Sequence, residues 1–161
     1  MIEVIILNKF EELCQTASDT NVDIVNYSFS SSRIKGLYCN GNVAINNEID
    51  TDAERVCVLA EELGHHVTTS GDILDQSSAS NRKQERIARM WAYNRLIGLR
   101  GIVDCYNAGC QNTYEMAETL NVTEDFLLEA LFYYKEKYGV CAQIDNYVVY
   151  FIPNIGVCEI R

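Results

Sequence analysis

The chain has 161 residues, the length of one ordinary domain. Hydrophobic residues make up 48% and charged residues 22%, with one proline and nine glycines, which excludes a disordered, collagen-like or proline-rich chain. Thirteen Lys and Arg against 23 Asp and Glu give −10, the wrong sign for a protein that grips nucleic acid through its own surface. The apolar start, Met1 to Leu7, has neither a basic leader nor a small-residue cleavage site, so no signal peptide is expected. No run approaches the ~18 apolar residues of a membrane span.

Taken in chain order, residues 2–18 hold mostly to helical spacing through Ile5, Ile6, Phe10, Leu13 and Ala17. Residues 22–29 alternate as a short strand, and Ser30-Ser31-Ser32 reads as a turn. Residues 34–49 read as a hairpin turning at Asn40-Gly41, the pair best suited to a tight two-residue loop. Thr51 and Glu54 form a capping box for a helix of about 51–68, with Val56, Leu59, Ala60, Leu63 and Val67 as its apolar stripe. A polar loop over 68–80 leads to a helix carrying Ile87, Ala88, Trp91, Ala92 and Leu96. Shorter helices follow at 101–108, 113–120 and 123–138, the last stopped by Gly139. Strand-like pieces at 147–151 and 157–160 close the chain. No linker divides it, so the expectation is one α+β domain, a small antiparallel sheet packed on a helical body: helix and sheet in 1–50, two central helices in 51–98, a helical buttress and strands in 99–161. The seven cysteines include no C-x-x-C pair and are expected to be reduced and mostly buried, as in a cytoplasmic protein.

The only two histidines stand together in Ala60-Glu61-Glu62-Leu63-Gly64-His65-His66. On a helix, Glu61 and His65 lie one turn apart on one face, with Glu62 beside them. This is the layout of the H-E-x-x-H metallopeptidase helix, with Glu61 where the first histidine would stand. Shifting the register by one would make Glu62 and His66 the ligands and leave Leu63 where a base is needed. Only the Glu61/Glu62/His65 register fills both roles. A carboxylate can ligate zinc, and its harder oxygen also suits manganese. Glu85, on the next helix, is the best third ligand, ahead of Asp72 and Asp75; Gly64 and the small Ala88 and Ala92 would let that helix approach closely. The bland alternative is a solvated helix face on which Glu61 and His65 form an i,i+4 pair. Spacing alone leaves both readings open.

The order of further residues is more specific. Lys35-Gly36-Leu37-Tyr38, Ala44-Ile45-Asn46, the run from Val58 to His66, Thr69 to Ile73, Glu85-Arg86-x-Ala88-Arg89-x-Trp91-Ala92 and Val122-Thr123-Glu124-x-Phe126 together resemble the ImmA/IrrE family of metallopeptidases. The resemblance implies a compact zincin-like core. It implies Glu61, His65 and Glu85 as zinc (or manganese) ligands and Glu62 as the general base on the metal-bound water. His66 and Tyr38 are candidates for an oxyanion or substrate contact. The implied substrate is a helix-turn-helix repressor of a phage or mobile element, met without direct nucleic-acid or membrane contact. Because Glu61 replaces the family's usual histidine, a non-catalytic binder of such a partner is the alternative. Residues 113–127 themselves look like a helix-turn-helix, but the second helix opens with Glu124, Asp125 and Glu129, the wrong sign to meet phosphates. The aromatic run Phe126, Phe132, Tyr133, Tyr134 and Tyr138 reads as core with a few exposed rings, and otherwise as a partner groove.

Overall fold

The computed structural model describes residues 8–69 and 78–160 and is mixed α+β. The chain divides into two compact units, residues 1–89 and 90–161. Six helices and two three-stranded sheets are found among the described residues.

In the first unit, α1 (Lys9–Asp19) opens with a complete capping box. Asn8 Oδ1 accepts from the Glu11 N–H at 2.9 Å, and Glu11 Oε2 accepts from the Asn8 N–H at 2.8 Å. The part of the expected helix before residue 8 lies outside the described residues. The chain continues through β1 (Asp23–Tyr27), β2 (Gly36–Cys39) and β3 (Asn42–Asn46). Asn40 (φ 48°) and Gly41 (φ 78°) make the tight β2–β3 turn that their sequence signals. The strand order is β1-β3-β2, so both β1 and β2 are edges. β1 runs parallel to β3, where the sequence suggested an antiparallel sheet; residues 28–35 carry the chain across to the far edge first. Val43 and Ile45 are fully buried, and so is Asn46. Asn46 meets its polar needs at the end of the sheet, donating to the Ile34 carbonyl at 2.8 Å and accepting from the Glu48 N–H at 3.0 Å.

The central element is α2 (Asp52–Thr68), which packs on α1, β2 and β3. Its Val56, Cys57, Val58, Leu59, Ala60, Leu63 and Gly64 are buried, a band wider than one stripe because neighbours cover several sides. Burial of each large aliphatic chain contributes roughly 1.5–3 kcal/mol. Two local expectations differ. Thr51 caps α2 by accepting from the Glu54 N–H at 3.2 Å, but the Glu54 carboxylate pairs with Lys35 Nζ at 3.2 Å. Val67 is exposed, since it lies in the last turn of the helix. The next helix, α3 (Ser78–Leu96), contains the boundary between the units.

The second unit continues with α4 (Gly98–Asn107), α5 (Thr113–Leu120), α6 (Glu124–Tyr138) and the meander β4 (Cys141–Ile144), β5 (Tyr147–Tyr150) and β6 (Gly156–Glu159). β4 is absent from the sequence reading; Asp145 (φ 49°) supplies the turn that pairs it with β5. The α5–α6 corner buries Met116, Ala117, Leu120, Val122, Phe126 and Leu127, so the helix-turn-helix-like segment is a packing unit. None of the seven cysteines is in a disulfide, but only Cys57 and Cys105 are buried. Cys39, Cys141 and Cys158 lie on strands in edge or solvent-facing positions, which corrects the expectation of mostly buried thiols.

The fully buried Tyr134 carries much of this unit's aromatic packing, and its hydroxyl accepts from the Gly98 N–H at 3.1 Å. Burial pushes its phenol well above the usual range, so it is neutral at any ordinary pH. Gly98 begins α4 at φ 58°, a left-handed conformation suited to glycine, and the phenol satisfies its N–H. We expect Tyr134→Phe to lower unfolding stability by about 1–2 kcal/mol, read from the denaturant midpoint. A loss below about 0.3 kcal/mol would show that another acceptor serves the Gly98 N–H equally well.

Candidate active site

Two close approaches onto α2 build the site. At Gly64, a Cβ would lie 2.4 Å from the Ala88 carbonyl oxygen and 3.0 Å from its carbon, so the α3 backbone rests directly on α2. His65 follows Gly64, and Glu85 lies about one turn before Ala88, so the contact sets the two side chains against each other. His65 Nε2 and Glu85 Oε2 are 3.2 Å apart. The other Glu85 oxygen accepts from Arg89 Nε at 2.9 Å, an i,i+4 pair that fixes how the carboxylate faces His65.

The second approach is at Gly36, where a Cβ would lie 2.6 Å from Val58 Cγ1 and 2.9 Å from Glu62 Cγ. β2 therefore lies flat on α2. As an edge strand it has N–H groups outside the ladder, and that of Tyr38 donates to Glu62 Oε2 at 2.7 Å. The Tyr38 hydroxyl is hydrogen-bonded to His66 Nδ1 at 2.8 Å and accepts from the Gly41 N–H at 3.3 Å. The two rings meet edge to face at 5.2 Å. Glu61, Glu62, His65 and His66 thus serve two sides of α2. His65 meets Glu85, and Glu61 lies one turn before it on the same face. Glu62 and His66 are both held by Tyr38. The last turn of the helix is tied by Thr68, which donates to the Gly64 carbonyl at 2.7 Å, and by Thr69, which donates to that of His65.

Burial raises the Glu62 carboxyl above its ordinary range. His65 and the Tyr38 N–H oppose the shift, and the nearby Glu85 charge adds to it. A carboxyl perturbed upward in this way, within the field of His65 and Glu85, suits proton exchange better than a fully solvated one.

The spacing of this pair is that of two ligands on one ion. Two ligands about 2.1 Å from a tetrahedral ion lie ~3.4 Å apart, and the His65–Glu85 separation of 3.2 Å is close to that edge. One imidazole nitrogen and one carboxylate oxygen are also a donor set that zinc accepts. The same separation is that of a histidine–carboxylate ion pair. Among the described residues, no three His, Cys, Asp or Glu side chains are already drawn together as a cluster. Glu61, half-buried one turn before His65, would be the third. Asp72 and Asp75 lie outside the described residues. Two contributors escaped the sequence reading. Arg89 was signalled by its i,i+4 spacing from Glu85, and the close approach at Gly36 by a glycine inside a strand.

The model of the IrrE N-terminal-like domain, the peptidase M78 family, matches residues 17–132. The match runs from within α1 into α6 and takes in every residue of the site just described. The chain belongs to that family, whose function is of the metallopeptidase type. No curated protein matches it.

Gly64→Ala tests the geometry. Alanine would gain about 1 kcal/mol in helix propensity, but a Cβ at 2.4 Å from a backbone oxygen forces α3 away. We expect a net loss of about 1–3 kcal/mol, with His65 and Glu85 separated in the variant's structure. A variant more stable than the parent would show that α3 yields freely at this point.

Proposed function

We propose that the chain is a metal-dependent endopeptidase that cleaves a helix-turn-helix repressor of a phage or mobile element. The observation that carries this reading is the convergence of His65 Nε2 and Glu85 Oε2 from two helices, beside a half-buried glutamate. His65 and Glu85, joined by Glu61, would hold the ion, zinc or the harder manganese. When bound, such an ion supplies Lewis acidity to water and to a carbonyl oxygen.

The chain's own groups do the rest. Glu62 takes the proton from the attacking water and delivers it to the leaving amine, and its raised affinity for a proton favours the first transfer. The Tyr38 N–H holds the carboxylate beside β2 before that transfer. His66, oriented through Nδ1 by the Tyr38 hydroxyl, presents its other ring nitrogen as a donor to the developing oxyanion. The repressor as substrate follows from family resemblance; the acidic surface, at −10, complements a basic DNA-binding protein. Such a substrate places the enzyme in the cytoplasm. The described residues contain no helix long and apolar enough to cross a membrane.

A second reading, a family member that grips the repressor without cutting it, is favoured by Glu61 in place of a histidine. The two separate on metal content and fragments. For the peptidase, protein purified without chelator or a histidine tag binds about one equivalent of zinc or manganese, lost in both His65→Ala and Glu85→Ala. It then yields discrete repressor fragments by mass spectrometry. Chelation stops cleavage, and Glu62→Gln keeps the metal while losing ~100-fold or more in rate. A stable repressor complex without fragments, equal for parent and Glu62→Gln, would establish the binder instead.

A further inference from the structure

We propose that the outer face of α6 is a homodimer contact, pairing antiparallel with the same face of a second copy of this chain. The helix buries Phe126, Leu127, Ala130 and Tyr134 on one side. Diametrically opposite, at 100° per residue, lies a row of Asp125, Leu128, Phe132 and Lys135. The aromatic run therefore divides, with Phe126 and Tyr134 in the core and Phe132 pointing out. Leu128 is 47% and Phe132 65% exposed, an apolar i,i+4 pair in the middle of an otherwise charged surface. The spacing of the row is three, four, three, which is the a/d spacing of a coiled-coil seam.

The row is also symmetric about residue 130 in position, with opposite charges at its two ends. Antiparallel pairing through a two-fold axis sets Leu128 of each copy against Phe132 of the other. It sets Asp125 of each against Lys135 of the other, so two opposite-charge pairs close the ends of an apolar centre. A parallel arrangement would instead bring Asp125 against Asp125 and Lys135 against Lys135. This self-complementarity selects a second copy as the occupant. An unrelated partner would have no need of a charge pattern that matches itself. With two apolar side chains per copy the contact is small, and the expected dissociation constant is on the order of 10–100 µM.

The test is the mass in solution by light scattering or sedimentation, from a few micromolar to about 500 µM, spanning that constant. The parent is expected to rise from 18.3 kDa toward twice that mass. Asp125→Lys and Lys135→Asp should each stay monomeric, because each places like charges at both ends of the seam. Mixing the two variants should restore the dimer, since every end pair is then of opposite sign. Phe132→Ser should abolish association. All four positions are exposed, so the variants should keep the parent's circular dichroism and thermal midpoint. A parent that stays monomeric throughout overturns the proposal. So does a dimer that is indifferent to Phe132→Ser or to the charge changes.

Discussion

The contact on which the site depends is backbone against backbone, where α3 crosses α2 at Gly64 and the Ala88 carbonyl occupies the space of a missing Cβ. Any larger residue at 64 would hold the helices apart, and a His–Glu pair 3.2 Å apart would not survive the separation. Gly36 does the same on a second side of α2, letting β2 lie close enough for its Tyr38 N–H to reach Glu62. Neither glycine is at a turn. Each costs local propensity, about 1 kcal/mol within the helix, and the return is proximity.

Those two approaches sort the residues of α2 by chemistry. The face toward α3 carries the groups suited to an ion, with His65 and Glu85 already opposed and Arg89 setting the carboxylate's orientation. The face toward β2 carries the groups suited to protons, Glu62 and His66, both governed by Tyr38. Glu61 in place of a histidine exchanges a nitrogen donor for a negatively charged oxygen. With Glu62 and Glu85 this puts three carboxyl groups near two histidines. Carboxylate donors of this kind would favour a harder divalent ion than a histidine-rich set. The upward shift of Glu62 has burial as its leading cause, with the Glu85 charge adding to it.

Much of this was legible in the sequence because local signals and tertiary packing agree. Asn40-Gly41 encodes the hairpin, Thr51 starts α2, and the i,i+4 spacing puts Glu61 and His65 on one face wherever the helix packs. Small residues at 64 and 88 announced a close helix contact, and the structure has it. What was hidden depends on long-range placement. The parallel β1–β3 pairing has no local signature, since alternation is the same in either direction. Cys141-Ala142-Gln143-Ile144 is too short and mixed to read as a strand until β5 pairs with it. Glu54 leaves its capping role because Lys35, far along the chain, offers a charged partner. The cysteines follow sheet geometry instead of their general preference for burial.

The most direct test of the account is to locate the ion. Crystals of the parent grown with zinc, measured above and below the zinc absorption edge, should show one anomalous peak about 2.1 Å from both His65 Nε2 and Glu85 Oε2, with a Glu61 oxygen completing the protein ligands. A peak held by other residues, or none at saturating zinc with His65 still paired with Glu85, would contradict it. The close approach of α2 and α3 would then serve the packing of the domain and not a metal centre.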